Sequence, residues 1–162
     1  LYSVLKNIQM LKEQFDEIDL KILRLLSEDA KLSYAEIGEK VFLSQGAVHT
    51  RVKKLENQKV ITGSGIKIDV KKLGWDISAF LGIYLEKSEQ YDGAAAQLAE
   101  IPEIVSINYT TGNYSIFVKL MCRDTAHLRE VLHDKIQKVQ GIQRTETFIS
   151  LEENLLRNAP II

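Results

Sequence analysis

A single cysteine, Cys122, excludes an internal disulfide framework in this 162-residue chain. No apolar run approaches the roughly 20 residues of a membrane-spanning helix, and the N-terminus lacks the charged, apolar, small-residue order of a secretory leader. A cytoplasmic location is the expectation that follows. Histidine is scarce: His127 and His133 lie six apart, on different sides of one helix, and leave no pair at metal-ligand spacing with His49 far away. The glycines of "TGSGIK" have no helix after them and cannot form a phosphate-cradling loop. Cys122 ends an apolar strand and reads as a small core residue. No catalytic constellation, metal site or cofactor is expected, and the chain is not expected to be an enzyme.

Hydrophobic residues make up 45% of the chain and charged residues 27%, the balance of a globular protein with one ordinary domain or two small ones. The net charge of -1 hides an asymmetry. Residues 1–74 carry 13 Lys+Arg against 10 Asp+Glu, residues 75–162 carry 8 against 12, and Ser44 to Lys72 alone carry 7 against 2. Polyanion binding by the first half and a lysine-rich solvated face are both compatible with that distribution.

Three helices are legible before Asn57. Ile18, Ile22, Leu25 and Leu26 recur at helical intervals behind an acidic start suited to the positive end of a helix dipole, which predicts a helix over about Glu17 to Ser27. Ser33 and Glu36 form a capping box that starts a short second helix carrying Ile37 and Val41 inward. Ser44 caps a third, whose Val48, Val52 and Leu55 form one stripe. Together they make a helix-turn-helix unit. The face opposite that stripe carries Gly46, Thr50, Lys53 and Lys54, with His49 at its shoulder and no bulky apolar residue. It suits close approach to a DNA major groove, hydrogen bonds to base edges and neutralised phosphates. An ordinary amphipathic helix with a polar outer face fits the same stripe. "KVITGSGIKID" then reads as a hairpin or wing around Gly63-Ser64-Gly65, and Lys67, Lys71 and Lys72 extend the basic track.

The second half alternates strand and helix in the order βαββαβ. Its pieces are Ile77 to Glu86, an alanine-rich helix stopped before Pro102, two strands around Gly112-Asn113, a helix capped by Asp124 and ended by Gly141, and a closing strand in "IQRTETFISLE". This order predicts an antiparallel, ferredoxin-like sheet with both helices on one face. The bare face predicts self-association as a dimer. The expected fold class is therefore α+β: an N-terminal extension (1–15), a winged helix-turn-helix with hinge (16–74), and a ferredoxin-like domain (75–162).

From about Asp16 to Leu156 the chain resembles the Lrp/AsnC (feast/famine) family of transcription regulators. "DEIDLKILRLLSEDAKLSYAEIG", "LSQGAVHTRVKKLE" and "VITGSGIKID" follow the family's DNA-binding half; "YTTGNYSIFVKLMC" and "IQRTETFISL" follow its effector-sensing half. The resemblance implies an amino-acid-responsive regulator that binds double-stranded operator DNA as dimers assembling into larger rings, often octamers. The expected DNA contacts on the third helix and the basic track are Ser44, Gln45, Gly46, His49, Thr50, Arg51, Lys53, Lys54 and Lys67. The resemblance places effector contacts on Thr111, Gly112, Asn113, Tyr114, Ser115, Gln137, Thr145 and Thr147, at a contact between sensing domains. Many members carry an acidic residue where this chain has Ser115, and a neutral hydroxyl there favours a small neutral polar effector, L-asparagine first. Gly112-Asn113 is also what any strand-strand turn selects, and Thr145 and Thr147 are ordinary strand residues.

Two other classes stand beside this one: an amino-acid-binding regulatory module of a metabolic enzyme, and an RNA-binding sheet, for which Tyr114 and Phe117 would be the exposed aromatics. The first residues fall outside the resemblance. They read either as a remnant before a start at Met10 or as an amphipathic helix carrying Leu1, Val4, Leu5, Ile8 and Leu11.

Overall fold

The computed structural model of the chain describes residues 14–161; both expectations for the opening stretch lie outside them. The fold is α+β, in two compact units. One ends at Lys67 and takes in the tail from Leu156, and the other is Ile68–Leu155.

In the first unit, α1 (Glu17–Glu28), α2 (Tyr34–Val41) and α3 (Gln45–Asn57) form the expected trio. Each begins where a side chain satisfies orphan amides. Asp16 and Asp19 make a capping box at α1, Ser33 and Glu36 make another at α2, and the Ser44 hydroxyl accepts from the Ala47 amide at 3.2 Å. Ile22, Ile37, Val41, Val48 and Val52 are buried together. The corner between α2 and α3 is tight. The Leu43 amide donates to the Gly38 carbonyl at 2.9 Å, and a Cβ on Gly38 would stand 2.5 Å from the Leu43 carbonyl oxygen. Phe42 closes α2 in the left-handed region, with φ 57° and ψ 44°.

The hairpin or wing expected around Gly63-Ser64-Gly65 is a correction: no β-ladder forms between Val60 and Asp69. The segment runs exposed, and Ile66 and Ile68 are 74% and 56% accessible, so its alternating apolar residues find no partner strand among the described residues. The boundary also falls at Lys67/Ile68 rather than at Gly74. A 3₁₀ turn at Val70–Leu73, closed by Gly74 at φ 84°, delivers Trp75 onto His127 of the second unit, with ring centroids 6.0 Å apart. The segment around Gly74 therefore belongs with the second unit. The tail from Leu156, assigned to that unit from sequence, groups with the helices instead.

The second unit contains β1 (Ile77–Leu85), α4 (Tyr91–Ala99), β2 (Ile104–Tyr109), β3 (Ile116–Cys122), α5 (Thr125–Glu130) and β4 (Ile142–Ser150). The sheet order is β2-β3-β1-β4 with every neighbouring pair antiparallel, the ferredoxin-like arrangement. Ala79, Leu81 and Ile83 of β1 and Ile116, Val118 and Leu120 of β3 are fully buried against Leu98, Val131 and Ile136. Both helical segments thus cover one face. Beyond Glu130 the second helix widens into a π turn at Val131–Lys135 and then tightens to 3₁₀ at Ile136–Lys138. Val131 and Ile136, five residues apart, are both fully buried, a spacing that a π turn brings to one side. Cys122 is buried, and its thiol is pushed up to about 11 by burial and by the neighbouring Glu103.

Candidate nucleic-acid interface and ligand site

The stripe Val48, Val52 and Leu55 is buried, so rotation about α3 leaves Gln45, Gly46, His49, Thr50 and Lys53 exposed on the outer side. A Cβ on Gly46 would meet nothing within 4 Å. Packing inside the unit therefore does not require glycine there; its effect is to let another surface approach the helix. The Thr50 hydroxyl donates to the Gly46 carbonyl at 3.0 Å and keeps acceptor capacity outward. His49 leans on Tyr34, with ring centroids 5.5 Å apart. Lys53 is 63% exposed and only loosely paired with Glu56 at 3.8 Å. Ser44 is held as the helix cap, and Lys67 lies exposed on the extended segment.

Arg51 and Lys54, two of the expected DNA contacts, are engaged within the unit. The Arg51 guanidinium binds Asp16 at 2.6 Å and Asp19 at 2.7 Å, and the Lys54 ammonium binds the other Asp19 oxygen at 3.1 Å. The Asp19 side chain is fully buried. The hydrogen bonds that Arg51 donates to Asp16 and Asp19 push its pKa further up. Burial works against the Asp16 charge, but the Asp19 amide and Arg51 outweigh it and hold that carboxyl below its usual range. These two cations join α1 to α3. Periodicity identified Asp16 and Asp19 only as acids at a helix start, because their partners lie more than 30 residues away.

The expected ligand residues do not form one cluster. Thr111, Gly112 and Asn113 are exposed in the turn between β2 and β3, where the Thr110 amide donates to the Ser115 carbonyl at 3.2 Å and the Ser115 amide to Ile83 at 2.9 Å. Gly112 has neither a positive φ nor any atom within 4 Å of a built Cβ, so neither backbone geometry nor packing demands glycine there. Thr145 shares a cross-strand row with Ile83 and Ile116, and Thr147 pairs with Leu81; both lie toward the helix-covered side. Gln137 is exposed on the 3₁₀ turn after the π turn.

Tyr114, expected in the same set, turns to the opposite, open face. A Cβ on Gly82 would lie 2.5 Å from the Tyr114 ring, and the Tyr114 hydroxyl donates to Glu146 at 2.8 Å. The Tyr84 hydroxyl donates to the other Glu146 oxygen at 3.1 Å, and Arg144 stacks on Tyr84 at 3.8 Å. These two hydroxyls hold the Glu146 carboxyl below its ordinary range. Phe80 and Phe117 stack with centroids 5.7 Å apart, and Phe148, 46% exposed, approaches Tyr114 edge-on at 6.3 Å. The open face is thus an aromatic floor around one doubly bonded carboxylate. Gly82, with its ring-filled space, was the overlooked sequence signal for it.

Among the described residues no group of three metal-ligating side chains occurs. Buried His127 instead accepts from the Arg123 amide at Nδ1 (3.2 Å) and meets Glu103 at Nε2 (3.1 Å); Lys135 reaches the same Glu103 oxygen at 2.6 Å. Burial raises Glu103, yet bonds from Lys135, its own backbone and His127 bring it below the usual value.

Residues 15–56 match the AsnC-type helix-turn-helix domain, and residues 78–159 match the Lrp/AsnC ligand binding domain. The chain is 43% identical over 143 residues to the regulatory protein AsnC of Haemophilus influenzae, covering 88% of this chain and 95% of that one. It is 41% identical over 142 residues to AsnC of Escherichia coli K12, covering 88% and 93%. The solved structure of E. coli AsnC superposes with a TM-score of 0.85 at 39% identity, over 90% of this chain and 97% of that one. A transcriptional regulator of Neisseria meningitidis, solved with L-Met, shares the fold at a TM-score of 0.84 and 22% identity, over 88% and 94%.

Proposed function

The chain belongs to the Lrp/AsnC family of transcriptional regulators, and from that premise we propose that it reads operator DNA through Gln45, Gly46, His49, Thr50 and Lys53, in answer to a small neutral polar amino acid. It is a regulator and not an enzyme, with a helix-turn-helix half for DNA and a ligand-binding half. The observation that carries the DNA assignment is Gly46: an outward glycine on a helix, with open space around it and no packing reason to be one. Lys53 supplies a phosphate contact beside it, and Lys67 a second from the extended segment.

The effector, L-asparagine first, is held by the amides of the Thr111–Asn113 turn together with Ser115, Thr145, Thr147 and Gln137, gathered where sensing units of neighbouring dimers meet. Turn amides suit a carboxylate, and hydroxyls and an amide suit a carboxamide. Ser115 brings no charge for a lysine or arginine side chain to find. The aromatic open face closes the dimer, dimers assemble to an octamer, and the protein works in the cytoplasm.

Gel-shift titration of duplex DNA tests the first part. Lys53→Ala lowers affinity and flattens its salt dependence, while Thr50→Ala narrows the gap between an enriched duplex and a random one. Unchanged binding in both variants would remove α3 as the reading helix. Calorimetric titration with asparagine, glutamine, leucine and lysine tests the second part, and tighter binding of leucine or lysine would overturn it.

A further inference from the structure

The C-terminal segment leaves one unit and packs on the other. After β4 ends at Ser150, residues 151–155 run exposed, and from Leu156 the chain groups with the helix-turn-helix unit. There the Arg24 guanidinium of α1 donates from Nε to the Ile161 carbonyl at 3.0 Å. Asn158 and Ile161 form one wall of an open groove of about 900 Å³. Its other walls include Leu23 and Leu26 of α1, Leu32, Tyr34 at the start of α2, Val52 of α3, and Ile61. Ile161 is half-buried, whereas Leu155 and Leu156 are 66% and 78% exposed, so contact is concentrated at the far end of the tail.

We propose that the helical surface beside this groove is a docking site for the chain's own segment Asn158–Ile161, which acts as a strap carrying the state of β4 to the DNA-binding helices. The groove's lining includes the apolar Leu23, Leu26, Leu32 and Val52, and the Arg24 cation bonds a main-chain carbonyl, so recognition does not rest on a charged side chain of the tail. The strap touches α1 directly and shares its groove with α3 through Val52, the residue beside Arg51. Its other end continues from the strand that carries Thr145 and Thr147, so eleven positions of chain separate Thr147 from Asn158. A ligand that orders β4 shortens the free run of 151–155 and changes how firmly the strap seats; one that leaves β4 unchanged does neither. This second step rests on the proposed effector site, while docking itself does not.

Hydrogen exchange of the full chain, compared with a variant ending at Leu156 and with Ile161→Glu, tests docking without DNA or effector. Exchange in the α1 peptide containing Leu23 and Leu26 is expected to rise about tenfold in both variants. Adding a synthetic peptide of residues 157–162 is expected to restore protection to the truncated protein, and the same peptide carrying the Ile161→Glu change is expected not to. Unchanged α1 exchange on truncation, or no restoration by the peptide, overturns the docking site. Duplex titrations with and without asparagine then test the coupling. Truncation is expected to abolish the asparagine-dependent change in DNA affinity while asparagine still binds by calorimetry. A change that survives truncation overturns the strap as the route. A full-length protein that binds no asparagine at all fails the effector assignment instead, and leaves docking to be judged by exchange.

Discussion

Gly38 and Gly46 sit in neighbouring helices and are expected to respond in opposite directions to the same substitution. In a helix, alanine is favoured over glycine by up to about 1 kcal/mol, because glycine loses more backbone freedom on folding. At Gly46 nothing opposes that gain, since a Cβ there meets open space. At Gly38 the added carbon would stand 2.5 Å from the Leu43 carbonyl oxygen, and relief to ordinary contact needs a shift of about 0.9 Å. The obstacle is backbone, so no rotamer change removes it. Opening the corner lengthens the Leu43 to Gly38 hydrogen bond, worth about 1 kcal/mol, and disturbs the packing of Val41 against Val48, with overpacking costs of about 1–3 kcal/mol. The clash exceeds the propensity gain. Gly38→Ala should therefore destabilise the helical unit by about 1–3 kcal/mol net, or several degrees of its melting midpoint. Gly46→Ala should leave the midpoint unchanged or slightly raised while weakening duplex binding. Thermal melts followed by circular dichroism, with gel shifts on the folded variants, measure both. A Gly38→Ala protein as stable as the parent would refute the tight-corner argument; a Gly46→Ala protein with full DNA affinity would remove the close approach on α3.

Asp19→Ala removes the buried carboxylate that Arg51 and Lys54 share, leaving Arg51 with Asp16 alone. Because the two cations remain accessible to water, the loss should be about 1–3 kcal/mol, read as a lowered melting midpoint for the helical unit. Glu146 titrates below its ordinary value because Tyr114 and Tyr84 bond its charged form, so its contribution is present above the usual carboxylate range and is lost as pH falls through the depressed value. Glu146→Gln should flatten the acid limb of a stability-against-pH curve, and an unchanged limb would count against the carboxylate's role. Ser115→Asp should shift calorimetric preference from asparagine toward lysine or arginine, and no shift would place the effector's side chain elsewhere.

What was legible in the sequence was what lies within a few residues of itself. Capping pairs three apart, the stripe Val48-Val52-Leu55 and the alternation of β3 and β4 each encode their element locally, and the antiparallel order follows from chain connectivity. What was missed depends on partners far along the chain. Arg51 and Lys54 looked free because Asp19 stands more than 30 residues earlier, and Tyr114 looked like part of a turn because Glu146 lies 32 residues later. The segment after Val60 alternates as a strand should, yet alternation specifies only faces; a ladder needs a second edge, which the described residues do not supply. The glycines make the same division in another form. Gly38 and Gly82 are small because an oxygen and an aromatic ring occupy the space where a side chain would go, whereas Gly46, Gly65, Gly93 and Gly112 have neither a positive φ nor any neighbour among the described residues within 4 Å of an added Cβ. A glycine with no internal reason leaves its position open to another surface, and two of these four lie on the proposed DNA face and in the proposed ligand turn.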